Sequence, residues 1–141
     1  MSGKVWLWEG DGGRVEARLI GPLFLLTTLH GRVDNYAVPE MEACMREVAH
    51  LEGMNFFWDA YELTGVSNGF RGAMTDALLA NRKTLGSVVT LSNSALIAMA
   101  VSTANLVLGG IVKSYRKPED FMAAKRELAI SHGLDLELLA C

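Results

Sequence analysis

Two groups of residues in this chain carry side chains suited to chemistry on another molecule. One is Asp59, and the other is the run Ser67-Asn68-Gly69, eight residues on, with Arg71 just beyond it. Asp59 ends an apolar run, Phe56-Phe57-Trp58, so it reads as a carboxylate at the tip of a buried strand. There it would act as a general base or metal ligand, or more plainly accept backbone N–H bonds from a following polar loop. Ser67 would be a phosphoacceptor or nucleophile, or, with Asn68, a simple helix N-cap. A serine nucleophile needs a base within hydrogen-bond reach, and His30, His50 and His132 are scattered, so only folding would bring one there. The histidines form no H-x-x-x-H or H-E-x-x-H spacing, and Cys44 and Cys141 form no C-x-x-C pair, so no metal site and no cofactor is expected. Gly10-Asp11-Gly12-Gly13 lacks the lysine and Ser/Thr of a phosphate-binding loop and reads as a hairpin turn.

Alternating periods of two and about 3.6 place these residues on elements. Residues 5–8 and 15–20 read as strands around that turn, and residues 23–29 as a strand covered on both faces. His30-Gly31-Arg32 leads into a loop, and Asp34 or Asn35 opens a first helix with Pro39 in its first turn. Met41, Cys44, Met45, Val48 and Leu51 form its apolar stripe, and Gly53 stops it. Residues 55–61 form the next strand. A second helix follows Gly69, with Phe70, Ala73, Met74, Ala77, Leu78 and Leu85 inward, Arg71 outward and Gly86 closing it. Residues 87–91 form a short strand, and Ser92-Asn93-Ser94 caps a third helix over 95–108 that is apolar almost all round. A strand at 110–115 and a fourth helix from Pro118, with Phe121, Ala124 and Leu128 inward, complete the order β-β-β-α-β-α-β-α-β-α. The fold class is therefore α/β: one mixed sheet flanked by about four helices.

Composition narrows the function. At 141 residues the chain is one domain by length, with a core at about 15–128, an N-terminal strand and hairpin at 1–14 and a tail at 129–141. Half the residues are apolar and the net charge is −3, so no nucleic-acid partner is expected. The cysteine usage fits a reducing cytoplasm, and charge and glycine interrupt the N-terminus before a signal-peptide core forms. The greasiest stretch, residues 96–112, carries Ser102, Thr103, Asn105 and Gly109-Gly110, which suits a buried helix and strand rather than a membrane span. Trp6 and Trp8 lie in the first strand, as core or with one exposed to a partner. The third helix is either a central core helix or a face for a second subunit, a partner or an apolar ligand, with Leu96, Met99 and Val101 as the candidate apolar interface. The amphipathic tail at 134–139 would dock on that same surface.

The chain resembles a STAS domain, the fold shared by anti-sigma-factor antagonists and the cytoplasmic tails of sulfate transporters. More narrowly it resembles the bacterial sporulation-antagonist-like group that some classifications join with lipid-binding SEC14 domains. The resemblance spans about residues 15–128. It rests on His30-Gly31-Arg32-Val33, on the stretch FFWDAYELTGVSNG, on the apolar helix after LSNS and on Tyr115-Arg116-Lys117-Pro118-Glu119-Asp120-Phe121. In the antagonists the loop before the second helix reads Asp-Ser-Ser-Gly and a kinase partner phosphorylates its second serine. Here Val66-Ser67-Asn68-Gly69 stands in its place. Matched on the glycine, the phosphoacceptor position is Asn68, which caps a helix but takes no phosphate; shifted by one, it is Ser67, without the usual acid. The resemblance implies a non-catalytic regulatory module that docks a kinase-like or sigma-regulatory protein through Ser67, Asn68, Gly69, Arg71 and Asp59. The alternatives are a carrier of a lipid-like apolar ligand, or a small hydrolase using Asp59 and Ser67. A homodimer is compatible with each.

Overall fold

Successive right-handed crossovers carry their helices to one face of a sheet, and three of them in a row set this architecture. The computed structural model describes residues 3–134. Strands β1 (Val5–Glu9), β2 (Gly13–Ile20) and β3 (Phe24–Val33) pair antiparallel. Strands β4 (Met54–Val66), β5 (Leu85–Ser92) and β6 (Val112–Tyr115) then add in parallel, so the order across the six-stranded sheet is the order along the chain. Helices α1 (Val38–Val48), α2 (Asn68–Ala80) and α3 (Ala95–Val107) connect the parallel strands and share the larger core with Trp6, Val15, Leu25, Phe56 and Val88. Helix α4 (Pro118–Ser131) follows the last strand and packs on the other face, over Phe24, Phe57, Val89 and Leu91. The result is an α/β fold, a mixed sheet with four helices.

Local chemistry explains the elements. Asp34 accepts from Tyr36 N at 2.9 Å and opens a short 3-10 turn, Asn35–Ala37, which runs into α1 with Pro39 in its first turn. The α1 stripe Met41, Cys44, Met45 and Val48 is fully buried. Ser94 caps α3, accepting from Leu96 N and Ile97 N. Trp6 is buried and Trp8 half-buried on the same face, as residues two apart on a strand must be.

Burial also sets the chemistry of Cys44. Its thiol is pushed up to about 12, first by desolvation and then by the charges of Glu47 and Glu40, against a smaller opposing effect of Lys4. Above about pH 9 the unfolded chain releases this proton while the folded chain keeps it. Stability is therefore expected to fall by about 1.4 kcal/mol per pH unit from this group until the pH reaches the raised value. Urea midpoints from pH 8 to 10.5 should decline more steeply for the wild type than for Cys44→Ala; equal slopes would refute this.

Several expected boundaries move. His30-Gly31-Arg32 lies within β3 rather than in a loop, and β4 runs on to Val66, so the polar segment after Asp59 is strand. Paired with β3, it alternates exposed Glu62 and Thr64 with buried Leu63 and Gly65. Two register shifts, between Thr28 and His30 and between Gly31 and Arg32, put extra residues into β4. Helix α2 ends at Ala80, and Leu85 and Gly86 open β5 instead of closing the helix. Strand β6 begins at Val112, not Gly110. On α4, Lys125 shares the buried side with Phe121 and Ala129, while Ala124 and Leu128 flank it. The amphipathic segment beyond Leu134, and Cys141, lie outside the described residues.

Candidate functional site

The start of α2 is built from two segments. Ser67 has extended backbone (φ −71°, ψ 152°), and its Oγ accepts from Phe70 N at 3.1 Å, filling one of the donors a helix start leaves open. The same hydroxyl donates to Asn35 Oδ1 of the 3-10 turn, which ties the end of β4 to the end of β3. Arg71 Nη2 donates to Asn68 Oδ1 at 2.8 Å. Gly69 sits against Asn35: a Cβ added there would overlap the Asn35 amide, so a close helix approach accounts for this glycine. Asn68 and Gly69 are exposed, and Ser67 and Arg71 half-buried. The turn is open to solvent, and its free helix N–H groups and dipole favour an anionic group there.

Asp59 does not belong to this cluster. It lies seven residues before the end of β4, at about 3.3 Å per residue, and on the sheet face that carries α4. Its carboxylate accepts from Tyr61 N at 3.1 Å, beside the first register shift, where the extra residue leaves a strand N–H without a ladder partner. A hydrolase centred on Asp59 and Ser67 therefore has no geometric basis, because the two residues are remote and the polar partners of Ser67 Oγ are Asn35 and Phe70 N. His30 faces Glu62 across 3.6 Å instead. Among the described residues no cluster of three or more His, Cys, Asp or Glu side chains could hold a metal ion.

What Asp59 does face is Lys125, a residue that sequence reasoning missed. Together with Glu16 and Arg18 they line a polar hollow of about 130 Å³ floored by Phe57 and Phe121. Lys125 is 8% exposed, with its ammonium 5.1 Å from the Phe121 ring centroid. Desolvation pulls its pKa down, Asp59 pushes it back up and Arg18 lowers it again. Its spacing of four from Phe121 was the available signal, since that position belongs to the buried stripe.

Helix α3 divides in two. Ile97 is buried and Val101 half-buried against the main core, whereas Leu96 (67% exposed), Met99 (66%), Leu106 (83%) and Val107 (54%) face outward. The expected interface of Leu96, Met99 and Val101 is therefore split: the first two share an exposed stripe with Leu106 and Val107, and Val101 turns inward. A helix apolar all round reads as buried, and here half of that surface is open.

Between α2 and α3 a crevice of about 120 Å³ opens down to the sheet. Met74 and Leu78 of α2 face Ala100 and Ala104 of α3, Trp58 and Val88 are on the floor, and Arg71 stands among its lining residues. The two alanines leave the space. Trp58 Nε1 is buried and has no hydrogen-bond partner.

No family model and no curated protein matches this chain. Several solved structures are similar to it, among them the following three. An uncharacterised DUF3478-family protein with a SpoIIAA-like fold from Shewanella loihica PV-4 has a TM-score of 0.56 at 15% identity, over 87% of this chain and 94% of that one. The anti-sigma factor antagonist SpoIIAA in its unphosphorylated form has a TM-score of 0.57 at 13% identity, over 80% and 97%. The Bacillus cell fate determinant SpoIIAA in its phosphorylated form has 0.51 at 18%, over 79% and 97%. The chain thus has a SpoIIAA-like, STAS-like fold.

Proposed function

We propose that this chain is a non-catalytic regulatory module that binds a protein partner through the start of α2, with Ser67, Asn68, Gly69 and Arg71 as the contact residues. The observation that carries the reading is the build of that turn: it is solvent-facing, fixed by the Ser67–Asn35 and Arg71–Asn68 hydrogen bonds, and tied into no catalytic set. The likeness to an anti-sigma factor antagonist, and to a determinant solved in phosphorylated form, supports a kinase-like or sigma-regulatory partner. Asp59 drops out of the contact surface because it lies on the other face. Ser67 is the phosphoacceptor in this reading. Its phosphate would gain from the helix dipole and break the bond to Asn35. The outward stripe of α3 is a second contact surface, for the partner or for a second copy of the chain. Among the described residues no helix is long and apolar enough to cross a membrane, and the proposed setting is the cytoplasm.

The crevice favours a second reading, the binding of an apolar ligand. Its volume of about 120 Å³ is well below the roughly 300–1,000 Å³ of pockets that enclose drug-sized ligands, so it does not enclose a whole lipid.

Immobilised protein should retain specific polypeptides from native extract. A Ser67→Asp, Arg71→Glu double variant with unchanged circular dichroism should lose them by about tenfold or more, the scale of a truncated hot spot. Equal retention by both proteins would remove the α2 start as the docking edge.

A further inference from the structure

We propose that Asn68 is a modification site: its side-chain amide is converted to a carboxylate, without an enzyme, through a ring closed by the backbone nitrogen of Gly69. Of the six asparagines in the chain, Asn68 alone precedes a glycine. The attacking nitrogen belongs to the next residue, and a Cβ there crowds the five-membered ring, whereas glycine leaves it open. Asn68 and Gly69 are both exposed, so water reaches the amide.

The hydrogen bonds around the pair leave the nucleophile free. Gly69 N–H is one of the donors a helix start leaves without an intrahelical acceptor, and none takes it up among the described residues. Ser67 Oγ is spent on Phe70 N, and Ser67 O accepts from Arg71 N. Asn68 Oδ1 accepts from Arg71 Nη2 at 2.8 Å, and that bond leaves out Nδ2, the group that must depart. Asn55, Asn81 and Asn105, by contrast, each spend Nδ2 on a backbone carbonyl. A helical backbone holds Gly69 N away from Asn68 Cγ, so the reaction passes through openings of the first turn, which cost little at a helix end.

In the step itself, Gly69 N gives its proton to hydroxide and bonds to Asn68 Cγ. The Cγ–Nδ2 bond breaks, and ammonia leaves with a proton from water. Water then opens the ring at either carbonyl, giving aspartate or isoaspartate, whose chain runs through the side chain. Nothing is oxidised or reduced: amide plus water becomes acid plus ammonia. The product is a negative charge in the first turn of α2, three residues before Arg71, where the helix dipole and the guanidinium both favour it.

The whole chain, held folded at mildly alkaline pH and sampled over days, should gain a more acidic species one mass unit heavier. Peptide mapping should place the change at Asn68. Conversion there should be at least about tenfold faster than at Asn93, which is exposed and precedes a serine, the rate ratio of a small difference in barrier. Aspartate and isoaspartate should both form. Asn68→Gln, whose longer side chain closes a ring poorly, should abolish the species while circular dichroism shows a folded protein. Conversion in urea but not in native buffer would overturn the site, because the helix would then keep the amide out of reach. So would conversion at Asn93 as fast as at Asn68, or an acidic species that persists in Asn68→Gln. Aspartate without isoaspartate would overturn the attack by Gly69 N, since direct hydrolysis gives aspartate alone. The bearing of the new charge on partner retention rests on the docking reading above, whereas the conversion is read by mass, so the two fail separately.

Discussion

Phe57→Ala is expected to lower the unfolding free energy by about 3–5 kcal/mol, the largest effect of any single truncation considered for this chain. Phe57 is 1% exposed, at the centre of the sheet on the face that carries α4. Its ring stacks on Phe24 with centroids 5.8 Å apart and planes 7° apart, and meets Phe121 of α4 edge-on at 6.3 Å and 81°. Such pairs add about 0.5–1.5 kcal/mol beyond the buried area. Truncation removes both partners at once and leaves a cavity that the stiff sheet below cannot fill. Urea denaturation measures it: the midpoint should fall with the slope unchanged. A loss below about 1 kcal/mol would show that α4 is not fixed to the sheet by this stack.

Gly31→Ala should be nearly as damaging, at about 2–4 kcal/mol. Gly31 has φ +66°, where an L side chain is strained, and an added Cβ would overlap the carbonyl oxygen of Gly12 and lie 3.2 Å from Gly13 Cα. The obstruction is backbone, so no rotamer change relieves it. The contrast is Gly72, inside α2, where a Cβ would meet nothing within 4 Å. Gly72→Ala should raise stability by about 0.5–1 kcal/mol through helix propensity. Thermal melts of the two variants should move in opposite directions, and a melt of Gly31→Ala that matches the wild type would refute the close approach of the β1–β2 turn to β3.

This comparison shows what a sequence can display. Stripes at helical spacing were legible because one residue type fills one face: Met41, Cys44, Met45 and Val48 could hardly lie elsewhere than inside. Ser67 and Ser94 were legible as caps because a hydroxyl before an apolar helix has a local use. The far half of β4 was not, because Glu62, Thr64 and Gly65 are residues a loop also favours, and the alternation that makes them strand is broken by register shifts that depend on β3. That one misreading placed Asp59 beside Ser67. The direction of Val101 on α3, the exposure of Leu106 and the buried ammonium of Lys125 depend on which helix packs against which, and short-range patterning carries none of that. The turn at Ser67 could be located from sequence; its anchor, Asn35, is 32 residues away in the chain and invisible to local spacing.

A sheet whose strands lie side by side in the order they are made has a kinetic meaning. Each new strand closes against the one laid down just before it, across a single hairpin or a single helix. No early strand waits for a late one to be threaded between its neighbours, so the entropy of closing loops is paid in short instalments. Growth from the ribosome can therefore proceed strand by strand without rearranging what is already paired.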